Sequence, residues 1–208
     1  MEIIDISWPL RPDTTAYKDH KTIIFTTKKT IDSDGVRESI LTCGSHSGTH
    51  IDAPAHFIKD AETIDQAPLD RFVGPCKVVD LTHVQGAIHA HDLYDLDIEE
   101  GDFLLIKTSN STLSATAPFN KDFVYLNASA AQYLVELDIG LIGFDYLGIE
   151  RQQPDHQTHR LLMDADIMIV EGLRLGHVAA KSYFFVCLPL AVVGLEAAPA
   201  RAILVGGL

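Results

Sequence analysis

Apolar segments recur about every 15 to 25 residues along the chain, with turn-forming residues between them. Several segments are continuous apolar runs, which are typical of central strands buried on both faces of a sheet. The strands predicted from this pattern are residues 1–6, 77–81, 103–107, 139–144, 166–170, 183–187 and 202–205. A hairpin is predicted for residues 22–28 and 36–43, because Asp32-Ser33-Asp34-Gly35 between them is a cluster of turn formers.

Helical spacing is found in fewer places. Asn127 or Ser129 is predicted to cap a helix that runs through Leu137. A second helix is predicted for residues 155–163, with Pro154 close to its start, and a short third one near His91. The predicted fold class is therefore α/β, a strand-rich mixed sheet with packed helices, in a single domain of residues 1–208.

Composition narrows the function classes. The chain has 208 residues and is 47% hydrophobic, which is enough to build a sizeable core. Its net charge of -13 disfavours nucleic-acid binding, and no apolar stretch of about 18 residues predicts a membrane span. No secretory signal is visible, and three widely spaced cysteines predict a reduced chain, so we expect a cytoplasmic location.

Candidate chemistry is concentrated in residues 45–57, where three histidines and one aspartate fall within eleven residues. Gly48, Thr49 and Pro54 disfavour a helix here. In an extended chain, alternation places His50, Asp52, Pro54 and His56 on one face. Gly48 lets the backbone bend, which brings His46 to the same place.

Imidazole and carboxylate groups together are typical ligands of divalent transition metals. Because the cluster contains no thiolate, the pattern favours an open catalytic site over a closed structural one. Zinc is the first expectation and manganese the alternative. Two other interpretations stay open: histidines that only satisfy hydrogen bonds, and a metal-binding protein without turnover.

Further ligands must come from other segments. His159 lies in the predicted second helix, and Glu171 ends an apolar strand, where a buried carboxylate is costly unless it is paired or metal-bound. His156 is an alternative to His159, because residues three apart share a helix face. Solvent exposure at a strand end is the alternative for Glu171.

The chain resembles the cyclase-like metal hydrolases, a family that includes bacterial kynurenine formamidase (arylformamidase). The family motif H-x-G-T-H-x-D-x-P-x-H is matched at every fixed position by residues 46–56. A second signature, a histidine before Leu-Leu and a glutamate twelve residues on, is matched by His159, Leu161-Leu162 and Glu171. Weaker similarity at both ends extends the resemblance over nearly the whole chain.

The resemblance implies a swivelling β/β/α fold and a site with two metal ions. One ion would be bound by His46, His50 and Asp52, while Asp52 and Glu171 would bridge to a second ion, which His159 also holds. His56 would be the general acid/base. The resemblance also implies a homodimer or larger homo-oligomer that acts on a small-molecule substrate.

Two departures from the family pattern concern the substrate. The aromatic residue and Pro-Gly-Asp of the N-terminal loop are replaced by Tyr17-Lys18-Asp19-His20, and a usual Ser-x-Asp by Leu147-Gly148-Ile149-Glu150. Tyr17 is therefore the predicted substrate-contacting residue, with Phe57 and Tyr146 as candidate aromatic walls. The predicted activity is hydrolysis of N-formylkynurenine or a related aryl formamide by metal-activated water. A lactam such as isatin, or another small amide or ester, is the alternative substrate.

Overall fold

The computed structural model describes residues 1–207, and strands make up most of its regular structure. The strands are β1 (Glu2–Asp5), β2 (Ile24–Lys29), β3 (Glu38–Thr42), β4 (His50–Asp52), β5 (Val73–Asp80), β6 (Ala87–Ile88), β7 (Phe103–Lys107), β8 (Tyr125–Leu126), β9 (Leu141–Phe144), β10 (Met168–Glu171), β11 (Ser182–Pro189) and β12 (Ala197–Gly206). This composition confirms the strand-rich α/β class.

Helices are short. They are α1 (Ile31–Asp34), α2 (Ala128–Glu136) and α3 (Gln157–Asp164). Single 3₁₀ turns connect other segments, including Tyr17–Asp19, Pro54–His56, Ala90–Asp92 and Pro154–His156. None of the helices within residues 1–207 has the length and apolarity needed to cross a membrane.

Seven strands close into a mixed barrel in the order β12-β11-β5-β7-β9-β10-β4, because β4 pairs with both β10 and β12. The pairs β5–β7, β7–β9 and β9–β10 are parallel, and the other pairs in the barrel are antiparallel. Strand β1 extends the sheet outside the barrel by pairing with β12. Closure removes the exposed edges that an open sheet would leave.

The barrel strands separate two hydrophobic cores. Alternate residues of one strand point to opposite faces, so Leu105 and Val170 pack inside the barrel, while Leu104, Ile106 and Ile169 pack on its outer face. Helices α2 and α3 cover that outer face and contribute to the second core. Both faces of these strands are buried, which explains their continuous apolar runs.

Several sequence predictions are confirmed with shifted boundaries. Residues 103–107 form β7 as predicted, and β2 and β3 form the predicted hairpin, with α1 as its connection. The side chain of Asn127 caps α2 by accepting a hydrogen bond from the Ser129 N–H. The swivelling β/β/α type and the single domain stay predictions. Homo-oligomeric assembly also stays a prediction. The hairpin of β2 and β3 exposes apolar side chains such as Ile24, Phe25 and Leu41.

Two predictions were wrong in detail. The extended segment ends at Asp52, because Pro54 begins a 3₁₀ turn that runs to His56. A proline at the start of a turn is favoured, since its φ is already suitable and its missing N–H is not needed there. Helix α3 begins at Gln157, because Asp155 and His156 have positive φ angles of 53° and 52° and cannot belong to a regular helix.

Gly48 and Gly172 bring two backbones into contact beside β4. Both have positive φ angles, 62° and 71°, which glycine adopts without steric cost. A Cβ atom added at Gly172 would lie 2.3 Å from the Gly48 carbonyl oxygen. Thr49 fixes the same junction, since its hydroxyl accepts from the Trp8 N–H (2.7 Å) and donates to the Gly172 carbonyl (2.6 Å). The ends of β4 and β10 are therefore held in one arrangement.

We expect Gly172→Ala to lower the free energy of unfolding by about 3 kcal/mol or more, because it adds a backbone clash to the strain of a positive φ angle. Gly194→Ala is the matched control, since Gly194 has φ 78° with no atom within 4 Å of the added Cβ. The control should lose only about 1 to 2 kcal/mol. Chemical denaturation measures both values, and equal losses would contradict the close packing at Gly172.

Candidate metal centre

Strands β4 and β10 place the central side chains of the site. Their antiparallel register pairs His50 directly with Glu171 and Asp52 with Ile169. Paired residues point to the same face of a sheet, as do residues two apart in one strand. His50, Asp52 and Glu171 therefore share the outer face of the barrel, while Ile51 points into the barrel core.

These side chains are close together and buried. His50 Nε2 lies 3.5 Å from Asp52 Oδ1 and 3.4 Å from Glu171 Oε2. His159 Nε2 lies 3.3 Å from Glu171 Oε1 and 3.7 Å from Asp52 Oδ2. All four residues are at most 6% exposed, so two carboxylates and two imidazoles share a volume from which water is largely excluded.

Helix α3 brings His159 to this cluster. The hydroxyl of buried Thr158 donates to the Leu126 carbonyl (2.9 Å), and the Gln153 side chain donates to Thr158. These contacts fix the first turn of α3 against β8. His156 does not share the helical face, because it precedes the helix, and of these two histidines it is His159 that reaches Asp52 and Glu171.

His46 and His56 lie at the outer side of the cluster. His46 Nδ1 is 2.9 Å from Asp52 Oδ1. The His46 and His56 rings are 4.2 Å apart between centroids, and both residues are only partly buried. The 3₁₀ turn of Pro54–His56 thus keeps His56 beside His46. Strand alternation predicted a shared face for His56, but the strand itself ends at Asp52.

Three of the four histidines have a second partner, on the ring nitrogen that faces away from Asp52 and Glu171. His50 Nδ1 is 3.0 Å from the Gly48 carbonyl oxygen, and His46 Nε2 is 3.2 Å from Glu196 Oε1. His159 Nδ1 is 3.2 Å from Glu150 Oε2. Metal-binding histidines commonly have such a second partner, which fixes the ring. Within residues 1–207 the His56 imidazole has neither a hydrogen bond nor a carboxylate oxygen within 4.0 Å, which separates it from these three.

Electrostatic coupling shifts the ionisation of the whole cluster. Burial by itself would lower the pKa of His50, but Glu171 and Asp52 outweigh it and raise that pKa to about 9. Burial opposes ionisation of His159 too, yet Glu150 and Glu171 raise its pKa to about 10. Burial would raise the pKa of Asp52 and of Glu171, and the neighbouring imidazoles instead hold both below their usual range.

His56 behaves in the opposite way. Burial is the largest influence on its pKa, and repulsion from His46 and His159 adds to it, so that the pKa lies below the usual value despite attraction to Asp52. Its imidazole is therefore neutral at neutral pH. A neutral imidazole is able to accept a proton.

The donor set fits a divalent metal. Within residues 1–207, His50 Nε2 and both Asp52 carboxylate oxygens are buried without a hydrogen-bond partner. Buried polar atoms without partners are rare and costly, and His50 Nε2 lies only 3.5 Å from Asp52 Oδ1. His50, Asp52 and Glu171 bring ligand atoms within 4.8 Å of one another, as do His46, Asp52 and His56. Imidazole nitrogen and carboxylate oxygen suit zinc and manganese.

Two residues of the site were missed by sequence reasoning. Glu196 accepts a hydrogen bond from the Ser45 hydroxyl (2.6 Å) beside His46, and Glu150 lies behind His159. The sequence predicts Glu150 near the substrate, whereas the structure places it against His159. Only the barrel closure, which joins β12 to β4, brings Glu196 to the site, so no local signal could have identified it.

The predicted aromatic residues lie in different environments. Tyr146 is 1% exposed and packs against Phe119 and Phe123, so it belongs to the core and does not line the site. Phe57 contacts the site, with its ring centroid 4.5 Å from that of His159 and 4.2 Å from that of His56.

Tyr17 is half exposed and packs edge-on against Phe119, with 5.0 Å between ring centroids. A Cβ atom added at Gly148 would lie 3.4 Å from the Tyr17 ring. Gly148 precedes Ile149, whose N–H binds Glu171 (2.7 Å). Tyr17 therefore lies near the segment that supports the cluster, and its contact with substrate stays a prediction.

Comparison with known proteins places these features in a family context. The model of the putative cyclase family matches residues 4–151. The kynurenine formamidase of Salinibacter ruber is 31% identical over 207 residues, which cover 98% of this chain and 97% of that protein. A solved structure described as a predicted metal-dependent hydrolase from Bacillus stearothermophilus is 42% identical, with a TM-score of 0.88 over 98% of this chain and 97% of the other.

An isatin hydrolase, solved with the product analogue thioisatinate, has a TM-score of 0.87. The match covers 98% of this chain and 91% of that one at 22% identity. At that identity the similarity establishes a shared fold.

Proposed function

The chain belongs to the cyclase family of metal-dependent hydrolases, and from that premise we propose that it is an amide hydrolase of the arylformamidase kind. The observation that carries the proposal is the buried cluster of Asp52, Glu171, His50 and His159, with partnerless ligand atoms, beside a neutral His56. The full-length similarity to a kynurenine formamidase supports this chemistry.

We propose two divalent metal ions per chain, zinc first and manganese as the alternative. His46, His50 and Asp52 would hold one ion, and Asp52, Glu171 and His159 the other. Bound there, the ions would supply a water of lowered pKa and polarise the substrate carbonyl. The outer partners Gly48, Glu196 and Glu150 keep the three imidazoles in place for this purpose.

His56 is proposed to move the proton. During formamide hydrolysis a C–O bond forms from water, the C–N bond breaks, and a proton passes from the water to the leaving nitrogen. His56 is neutral, has no competing hydrogen bond within residues 1–207, and has a ring nitrogen within 4.8 Å of an Asp52 oxygen. It is therefore suited to accept the proton from water and return it to nitrogen.

An aryl substrate suits the surroundings. The Phe57 ring lies against both His56 and His159, and Tyr17 offers a further aromatic face. Flat apolar surfaces of this kind favour stacking with an aromatic ring. N-formylkynurenine or a simpler aryl formamide is thus the proposed substrate.

Lactam hydrolysis is the second candidate. The two departures from the formamidase pattern are neighbours in space, since a Cβ atom added at Gly148 would lie 3.4 Å from the Tyr17 ring. Both are proposed to affect substrate selection. A shared fold with an isatin hydrolase is compatible with the same chemistry on a cyclic amide.

We expect His56→Ala to retain metal but to lose turnover by roughly 10² to 10⁴-fold, because the proton carrier is removed while all proposed ligands remain. The control is His91→Ala, a histidine that also lies on a 3₁₀ turn but is exposed at the surface. Metal content by elemental analysis and steady-state kinetics give the two readouts. Loss of metal from His56→Ala would mean that His56 is a ligand.

We expect measurable hydrolysis of N-formylkynurenine and aryl formamides by the zinc- or manganese-loaded protein, and Tyr17→Ala should raise KM because a stacking face is lost. Tyr94→Ala is the matched control, since Tyr94 is also exposed and also edge-on to an aromatic ring, that of Tyr133 (5.1 Å). Formamide turnover at background beside efficient isatin opening would favour the lactam candidate. An unchanged KM would place Tyr17 outside the pocket.

A further inference from the structure

Two adjacent residues, Ile149 and Glu150, support the cluster from behind. The Ile149 N–H donates to Glu171 Oε1 at 2.7 Å, and the Ile149 carbonyl accepts from the Leu126 N–H at 2.8 Å. Both residues are buried. The segment after β9 is thus fixed at one end to β8 and at the other to Glu171, so the position of the Glu150 side chain is well determined.

Both carboxylate oxygens of Glu150 lie close to histidine side chains. Its Oε2 lies 3.2 Å from His159 Nδ1 and accepts from the His159 backbone N–H at 3.3 Å. Its Oε1 lies 2.5 Å from His156 Nδ1. His159 Nε2 faces the opposite way, toward Asp52 and Glu171. The His159 imidazole therefore lies between the outer carboxylate of Glu150 and the inner carboxylates of Asp52 and Glu171.

We propose that Glu150 is a positioning residue for the second metal ion, acting through His159. With Oε2 3.2 Å from Nδ1, its carboxylate favours the His159 tautomer that carries its hydrogen on Nδ1 and turns the Nε2 lone pair toward Asp52 and Glu171. This inference rests on the proposed two-metal function and adds a role for a residue outside the ligand set.

The physical reason is the cost of a buried charge. A carboxylate that is 6% exposed is stable only with partners that compensate it. Here the partners are His159 inside and His156 outside, and the side chain of His156 is 59% exposed. Outer carboxylates of this kind orient the ligand ring and make it more basic, and their removal typically weakens metal binding by about 10- to 100-fold.

Replacement of His156 and replacement of Glu150 are expected to have different consequences for metal binding. Without His156, the outer oxygen of Glu150 becomes accessible to water and the contact with His159 remains. Without the Glu150 charge, His159 loses the partner that sets its tautomer. The effect of Glu150 on the metal should therefore not require His156.

The test is titration of the metal-free protein with Co²⁺, followed by visible absorption and calorimetry, for wild type, Glu150→Gln, Glu150→Asp and His156→Gln. We expect Glu150→Gln to weaken one of the two binding steps by about 10- to 100-fold and to leave the other unchanged. Glu150→Asp, which keeps the charge, should recover part of the loss. His156→Gln should bind as wild type does.

Glu136→Gln is the control for removal of a glutamate charge, because Glu136 is exposed and its carboxylate accepts a hydrogen bond from the Gln132 side chain on the surface of α2. Wild-type binding by folded Glu150→Gln would overturn the positioning role. So would an equal loss in His156→Gln, since that would make the outer histidine a ligand. If Glu150→Gln does not fold, Glu150→Asp carries the test. We then expect Glu150→Asp to bind Co²⁺ more weakly than wild type and to show a shifted Co²⁺ spectrum. Wild-type affinity and an unshifted spectrum in Glu150→Asp would count against the proposal. Absence of Co²⁺ binding to the wild-type protein would instead contradict the proposed function itself.

Discussion

Burial of two carboxylates at one place is the constraint on which the rest of the site depends. Asp52 and Glu171 repel each other and lose the hydration that would stabilise them in water, which costs several kcal/mol for each uncompensated ion. Protonated His50 and His159 provide positive charge in the metal-free protein, as their raised pKa values indicate. Divalent ions would provide it more strongly.

The fold meets this constraint by bringing separate chain segments to one face of the barrel. Strand β4 is only three residues long, yet it pairs on both sides and carries His50 and Asp52. Strand β10 adds Glu171, and helix α3 adds His159 from the layer above. Gly48 and Gly172 allow the backbones to approach, and Thr49 joins them. Four fixed positions of the motif, residues 48, 49, 50 and 52, thus have a structural reason.

The sequence predicted the parts of the site that are local in the chain. The spacing within residues 45–57 identifies His46, His50, Asp52 and His56 as candidate site residues. The strand predicted to align them ends at Asp52. Strands with continuous apolar runs were identified because both of their faces are buried. These features depend on neighbours within a few residues.

Features that depend on tertiary pairing were not predicted. Closure of the barrel requires β4 to pair with β12, and short strands carry no signal for their partners. Glu196 reaches His46 only through that closure, and Glu150 reaches His159 only through the packing of α3. Tyr146 looked like a pocket wall by its position, whereas the packing of Phe119 and Phe123 places it in the core.

The central claim, that metal ions replace protons in this carboxylate cluster, is tested most directly by calorimetric titration of the metal-free protein with zinc at pH 8 in two buffers of different ionisation enthalpy. At pH 8 both His50 and His159 are protonated, since their pKa values are about 9 and about 10. Metal binding requires neutral imidazoles, so the account predicts two ions bound per chain with release of about two protons from the imidazoles, and of about one more if a metal-bound water ionises. Absence of binding at micromolar zinc, or binding without proton release at this pH, would contradict it.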